Sequence, residues 1–311
     1  VVDGRAVRVG WHCTGMSWPR GGPDGGPVLG WRRDEKAAGT RERVSVLGYG
    51  KELGFRAEGE RRCVGARGNP CPVVAVVPVR STGARCPECA RLDRAHSVAA
   101  DTLADDPRPY RVYLAWFGPG MVKVGITRES RGGARLREQG AVVFGWLGRG
   151  PLMAARRTEE LLRAALGVPD RIPYAGKRAV RGGLPGPVER AAEVEDLYRR
   201  AVALEGAGWP EALERLPFEA VDHGGVFGLE GLDVAAAPVR AVTGLVGGGV
   251  VAGRLVAAAG PDLYLETPSD GTVVLDTRLI TGWELAGADA RAGVGVPLVA
   301  VGAGGVQDGL F

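Results

Sequence analysis

Four cysteines in one short stretch carry the most specific chemistry in the chain. Cys63, Cys71, Cys86 and Cys89 lie within twenty-seven residues, and Cys86-Pro87-Glu88-Cys89 is a knuckle whose two thiolates can bind one metal ion. Cys63 and Cys71, with seven residues between them, can supply the other two corners of a tetrahedron, an arrangement that zinc (Zn2+) satisfies. A four-thiolate site leaves no position for a substrate, so its expected work is structural: it staples a loop-rich segment. Disulfides are the rival reading, although a two-residue spacing is more typical of metal or redox work in a reducing compartment. Cys13 stands apart, and His12, Cys13 or His96 could replace one ligand of the looser pair. Arginines such as Arg67, Arg85 and Arg91 crowd the stretch, which is compatible with contact to nucleic acid.

The elements around this stretch follow from residue pattern. Arg111 to Phe117 and Met121 to Thr127 read as strands flanking Gly118-Pro119-Gly120, a hairpin signal. A basic helical segment follows, then a strand at Val142 to Leu147 and a helix at Met153 to Leu166, which gives the order β, β, α, β, α. Arg171 to Pro187 is rich in Arg, Gly and Pro and reads as a basic loop carrying Lys177, Arg178 and Arg181. Pro187 to Glu205 reads as a helix, with proline at its start and Gly206 as its stop. Beyond it, Val239 to Val251, Gly253 to Ala258, Leu263 to Thr267, Thr272 to Asp276 and Ile280 to Leu285 have the rhythm of an antiparallel sheet or small barrel. The first sixty residues form a small β unit in which Trp11, Trp18 and Trp31 are expected in or beside a core. This unit could pair with the C-terminal strands.

The order ββαβα, together with VYLA, KVGIT, R-x-x-x-QGA and a late T-E-E-L-L, resembles the GIY-YIG nuclease superfamily. Within it, the wording is most similar to an uncharacterised prokaryotic family with cysteine clusters. The resemblance covers about sixty residues. It implies that Tyr113 holds the first Tyr position, Gly125 the Gly of the second motif, Arg135 the helical Arg and Glu159 the metal-binding Glu. On that reading Tyr113 activates water, Arg135 neutralises the scissile phosphate and Glu159 binds Mg2+ or Mn2+. Lys123, Arg128, Arg137 and Gln139 are then the expected nucleic-acid or phosphate contacts. Two positions depart from the superfamily pattern: Val124 stands at the second Tyr, eleven residues after Tyr113, and Gln139 stands where a His or Tyr often follows the Arg.

The expected fold class is α+β, with a zinc-stapled N-terminal β segment, a GIY-YIG-like ββαβα core and a mostly antiparallel β C-terminal region. Boundaries are expected at 1–62 for the β-rich start, 63–106 for the cysteine segment, 107–210 for the core with its following helix, and 211–311 for the last β-rich region. Charge is uneven along the chain. Residues 201–311 hold five arginines, no lysine and fourteen acidic residues, a balance of −9, which leaves +13 for residues 1–200 of a chain whose total is +4. A basic front two thirds suits a polyanion. No stretch has the length and apolarity of a membrane span, and the expected location is cytoplasmic. The leading expectation is a nucleic-acid-binding protein, DNA or RNA, with metal-dependent phosphodiester cleavage as its finer form. The alternatives are a different enzyme or small-molecule binder built on the same scaffold, and a non-catalytic zinc-stabilised interaction protein.

Overall fold

The computed structural model describes residues 10–19, 25–35, 39–94, 106–169, 171–204, 208–232 and 237–302; His96, Asp101 and Asp105 fall outside the described residues. In chain order the first strands are β1 (His12–Ser17), β2 (Val28–Glu35), β3 (Gly39–Val46) and β4 (Glu52–Glu58), followed by α1 (Pro87–Arg94). The middle of the chain forms β5 (Tyr110–Trp116), β6 (Val122–Arg128), α2 (Ala134–Gln139), β7 (Val143–Gly150) and α3 (Leu152–Leu166), then α4 (Tyr174–Val180) and α5 (Pro187–Val202). Short β8 (Glu214–Arg215), β9 (Val221–Asp222) and α6 (Gly224–Phe227) lead to β10 (Arg240–Val242), β11 (Val250–Ala259), β12 (Asp262–Thr267) and β13 (Gly271–Asp276). The described chain closes with α7 (Thr277–Ile280), β14 (Glu284–Gly287) and β15 (Leu298–Ala300). The class is α+β, and the middle segment has the expected order ββαβα.

Two sheets organise these elements. The larger runs β15-β10-β13-β12-β11-β4-β14-β1-β2-β3, so strands from both ends of the chain share one ladder: β4 lies between β11 and β14, and β14 pairs with β1. The pairing joins the N-terminal β unit to the C-terminal region, since an open strand edge is satisfied by another strand. Trp18 is buried and donates Nε1–H to the carbonyl of Gly260 at 2.9 Å, as a core aromatic with a polar tip does.

The smaller sheet runs β6-β5-β7-β8, with β9 also on β7. One face, with Val112, Leu114 and Val124, packs on Leu152 and Leu162 of α3 and on Val194 and Leu197 of α5. The other face, with Tyr113, Ala115 and Phe144, packs on Leu136 of α2 and on Ile172. Period-two alternation on two covered faces explains why nearly all of β5 is apolar.

Three expectations are corrected. The basic segment after Arg171 is not a loop throughout, for it contains α4, whose Arg178 bonds Asp262 at 2.6 and 2.9 Å and Asp276 at 2.8 Å. Tertiary ion pairs hold a short helix that composition alone disfavours. The run Ile280 to Leu285 is divided between α7 and β14, because the Asp276 side chain accepts the Arg278 N–H and caps a helical turn. Val239 to Val251 is likewise split, into β10 and the start of β11, by the turn at Gly247 to Gly249.

Two arginines dock the cysteine segment on the larger sheet: Arg32 of β2 donates to the Gly68 carbonyl at 2.7 Å, and Arg61 makes the more extensive set of bonds. Arg61 is 1 % exposed and donates to the carbonyls of Thr281 (2.9 Å), Pro78 (2.6 Å), Ser81 (2.6 Å) and Arg278 (2.7 Å). Burial draws its guanidinium down to about 10, still charged at neutral pH.

His223 fastens β9 and α6 to the smaller sheet. Its Nδ1 lies 2.9 Å from the Ala141 carbonyl, and its ring packs on Phe144 and Phe227. Burial lowers its pKa from 6.5 to about 4. The unfolded chain takes up this proton first as pH falls, so the stability present above pH 6.5 is lost on the way down to about 4. The expected loss is about 3 kcal/mol, and urea unfolding across that window should show it. His223→Phe should remove this part of the pH slope; an unchanged slope would mean that the imidazole is already protonated in the fold.

Candidate functional site

The cysteine segment forms a compact knuckle pair. Ala66 and Asn69 exchange backbone hydrogen bonds of 3.1 and 2.9 Å across a two-residue turn, with Arg67 at φ 54° and Gly68 at φ 82°. Two successive positive φ values make this the tight hairpin turn that matches strand twist, and they bring Cys63 and Cys71 together. Cys86 precedes α1 and Cys89 sits in its first turn. The four Sγ atoms all lie within 4.8 Å of one another, all four residues are buried, and the N–H groups of Gly65 and Cys86 point at Cys63 Sγ at 3.4 and 3.2 Å. A tetrahedral ion with Zn–S bonds of about 2.3 Å needs sulfur–sulfur separations near 3.8 Å. Cys71 Sγ and Cys86 Sγ are 4.0 Å apart, which suits that edge and is far too long for a disulfide. The cluster can therefore hold a metal ion such as zinc. Cys13 is buried in the main core and is not one of the four clustered sulfurs.

The second candidate site surrounds Tyr113. The strand register sets Tyr113 opposite Gly125, and a Cβ at Gly125 would stand 2.3 Å from the Tyr113 hydroxyl, so only glycine lets the phenol lie across β6. Gln139 Nε2 donates to Tyr113 Oη at 2.9 Å from the end of α2. Tyr113 is 2 % exposed. Burial raises its pKa, the Gln139 amide and the charge of Arg135 oppose that rise, and the charge of Glu159 adds to it. The charges of Arg135 on α2 and Glu159 on α3 are thus both felt at the Tyr113 hydroxyl, although 46 positions separate Tyr113 from Glu159. Arg135 is half-exposed and lies 3.6 Å from Glu138, which Arg131 also holds at 2.6 Å. Glu159 is partly buried on the helix whose Thr158 and Leu162 face the core, while Glu160 is exposed.

The register also corrects the expected neighbours. Val124 pairs with Leu114, and its side chain belongs to the core on the face opposite Tyr113. Lys123 lies on the Tyr113 face, with Nζ 6.0 Å from the ring centroid. Arg128 is at the far end of β6 and on the other face, where it donates to Tyr110 Oη at 3.1 Å and faces Asp106 at 3.5 Å. Of the expected phosphate contacts, Lys123 and Arg128 therefore lie on opposite faces of the smaller sheet. Arg137 is 8 % exposed and donates to the Pro19 carbonyl at 2.8 Å, so it serves the junction with the N-terminal strands.

The sequence pattern did not single out α4 as a support of the Gln139–Tyr113 contact. Lys177 is buried with its ammonium 4.1 Å from the Phe117 ring and 4.3 Å from the Tyr174 ring, and it donates to the Gln139 carbonyl at 2.9 Å. Burial, with Arg181 and Lys123 nearby, lowers its pKa to about 7. Arg181 donates to the Gly140 carbonyl at 2.7 Å. These two cations fix the carbonyls at the end of α2, and through them the Gln139 side chain that touches Tyr113.

A mixed α+β chain with a buried four-cysteine cluster and a buried, hydrogen-bonded tyrosine on its smaller sheet is the class that these observations define. The chain belongs to the family described as "Protein of unknown function (DUF2797)", which matches residues 50–285, from just before β4 into β14. No curated protein and no solved structure matches it. Among the described residues, no helix is long and apolar enough to cross a membrane.

Proposed function

We propose that this protein binds nucleic acid across the β6 edge of a GIY-YIG-like core, and that Tyr113, Arg135 and Glu159 form a metal-dependent phosphodiesterase centre there. What supports the reading is the buried Tyr113 hydroxyl held by Gln139 at 2.9 Å and lying across Gly125, with the charges of Arg135 and Glu159 both felt at that hydroxyl. Lys123 and Arg135 supply positive charge to a phosphate backbone, and the attraction needs no base contacts. Glu159 would hold a magnesium or manganese ion, which takes one or two carboxylates from a protein and shares the substrate's phosphates. Bound there, the ion supplies Lewis-acid polarisation. Tyr113 remains a phenol at neutral pH because its pKa is raised, so it orients a water or phosphate oxygen by hydrogen bonding instead of acting as a phenolate base. Gln139 fixes that phenol by donating to its oxygen. The cysteine cluster, loaded with zinc, holds the segment that precedes the core.

Fluorescence anisotropy with labelled single- and double-stranded DNA and RNA tests the binding. Affinity should be highest at about 50 mM salt and fall steeply as salt rises. Lys123→Glu with Arg135→Glu should weaken it by about tenfold or more and lower the salt slope by about two. Absence of binding to all four probes at low salt would remove the polyanion reading.

A further inference from the structure

A cavity of about 260 Å3 lies where the cysteine segment, α4 and the larger sheet meet, and Tyr113, Arg135 and Glu159 are not among its lining residues. Four guanidiniums line it: Arg80 from the loop between Cys71 and Cys86, Arg171 just before α4, Arg178 within α4 and Arg278 in α7. Arg178 and Arg278 are committed to buried carboxylates. Arg178 grips Asp262 and Asp276, and Arg278 bonds Asp276 at 2.9 and 2.7 Å. Arg80 and Arg171 have no acidic partner among the described residues. The four arginines and two aspartates therefore leave a surplus of two positive charges around one hollow. Apart from Thr82, Thr243 and Asp276, the rest of the wall is apolar, with Val242, Leu279, Val299 and Val301, and the Tyr174 ring is held 4.5 Å from the Arg278 guanidinium.

A dianionic head with an apolar body complements such a wall. A phosphate monoester carries about −1.5 to −2 charge at neutral pH, and the planar guanidinium fork pairs with its oxygens two at a time. A carboxylate would offset only half of the surplus. We propose that this cavity is a binding site for a small phosphate monoester, with the phosphate between Arg80 and Arg171 and the organic group against Val242, Leu279 and Val299. Because Arg80 belongs to the cysteine segment, the ligand would bridge that segment to α4.

Calorimetric titration of the full, metal-loaded chain with phenyl phosphate, inorganic phosphate and benzoate tests the site. Phenyl phosphate is expected to bind at least about tenfold more tightly than inorganic phosphate, from burial of the ring, and also more tightly than benzoate. Arg80→Ala with Arg171→Ala, both exposed positions, should weaken phenyl phosphate by about tenfold or more. The thermal melt without ligand should be unchanged. Lys123→Glu with Arg135→Glu should leave this binding intact while it impairs nucleic-acid binding, which separates the two sites. The proposal is overturned by equal affinity for phenyl phosphate and inorganic phosphate, by stronger binding of benzoate, or by binding that survives loss of both arginines.

Discussion

Cys86→Ser is expected to cost the protein its metal and the order of the segment from Arg61 to Arg94. Wild-type protein should carry about one zinc ion per chain by elemental analysis, because one four-sulfur cluster is present among the described residues. Apparent binding free energies at such sites are about 10 to 16 kcal/mol, and that energy is folding energy where the apo segment has little core of its own. Here the local core is mainly the cysteines with Ala66 and Val77. Serine in place of one thiolate removes the ligand and leaves three buried thiols without their ion. The effect should spread, since Arg61 anchors the carbonyls of Pro78 and Ser81 to those of Arg278 and Thr281. A fall in melting temperature of about 10 °C or more is expected, and wild type stripped by a chelator should melt like the variant. Freshly isolated protein with these thiols in disulfides, or a metal-free chain with an unchanged melt, would contradict this account.

Glu159→Gln should abolish cleavage while nucleic acid stays bound. The carboxylate is the one group proposed to hold the divalent ion, and its amide keeps the size but not the charge, so the loss of rate should be about 100-fold to 1000-fold. Binding should persist or tighten, because a negative charge facing the phosphates has gone. Tyr113→Phe should lower the rate by about 10-fold to 100-fold, since it removes one hydrogen bond to the reacting group and leaves the ring in place. That variant also deprives Gln139 of its acceptor, so circular dichroism and a melt must accompany the rate. Cleavage must depend on added Mg2+ or Mn2+. Activity indifferent to both substitutions would identify a contaminating nuclease, and absence of cleavage under either ion would leave binding without catalysis.

Counting charge along the chain overstated the surface available to a polyanion. Arg61, Arg137 and Arg181 are buried and donate to backbone carbonyls, Arg190 is paired with Asp222 at 2.6 Å, and Arg178 is locked between two aspartates. A guanidinium with several carbonyl or carboxylate partners can be kept inside a fold, and composition cannot tell such a residue from an exposed one. On the Tyr113 side, Lys123 lies 6.0 Å from the ring centroid, and Arg135 is half-exposed and paired with Glu138 at 3.6 Å.

The amino-acid sequence by itself determined the local elements and the cysteine cluster. Period-two and period-3.6 apolar spacing belongs to single strands and helices, which is why the hairpin at Gly118 to Gly120, α3 and α5 were legible, and two-residue thiol spacing lets both sulfurs reach one ion without help from distant residues. It also marked Gly125, whose missing side chain makes room for Tyr113. Tertiary structure decided the rest. Which face Val124 occupies depends on strand register, which a shift of one residue would reverse. The joining of first and last strands in one sheet, and the formation of α4, depend on partners more than eighty residues away, such as Asp262 for Arg178. Those contacts offset the chain entropy that local preference cannot, so no short window of sequence contains them.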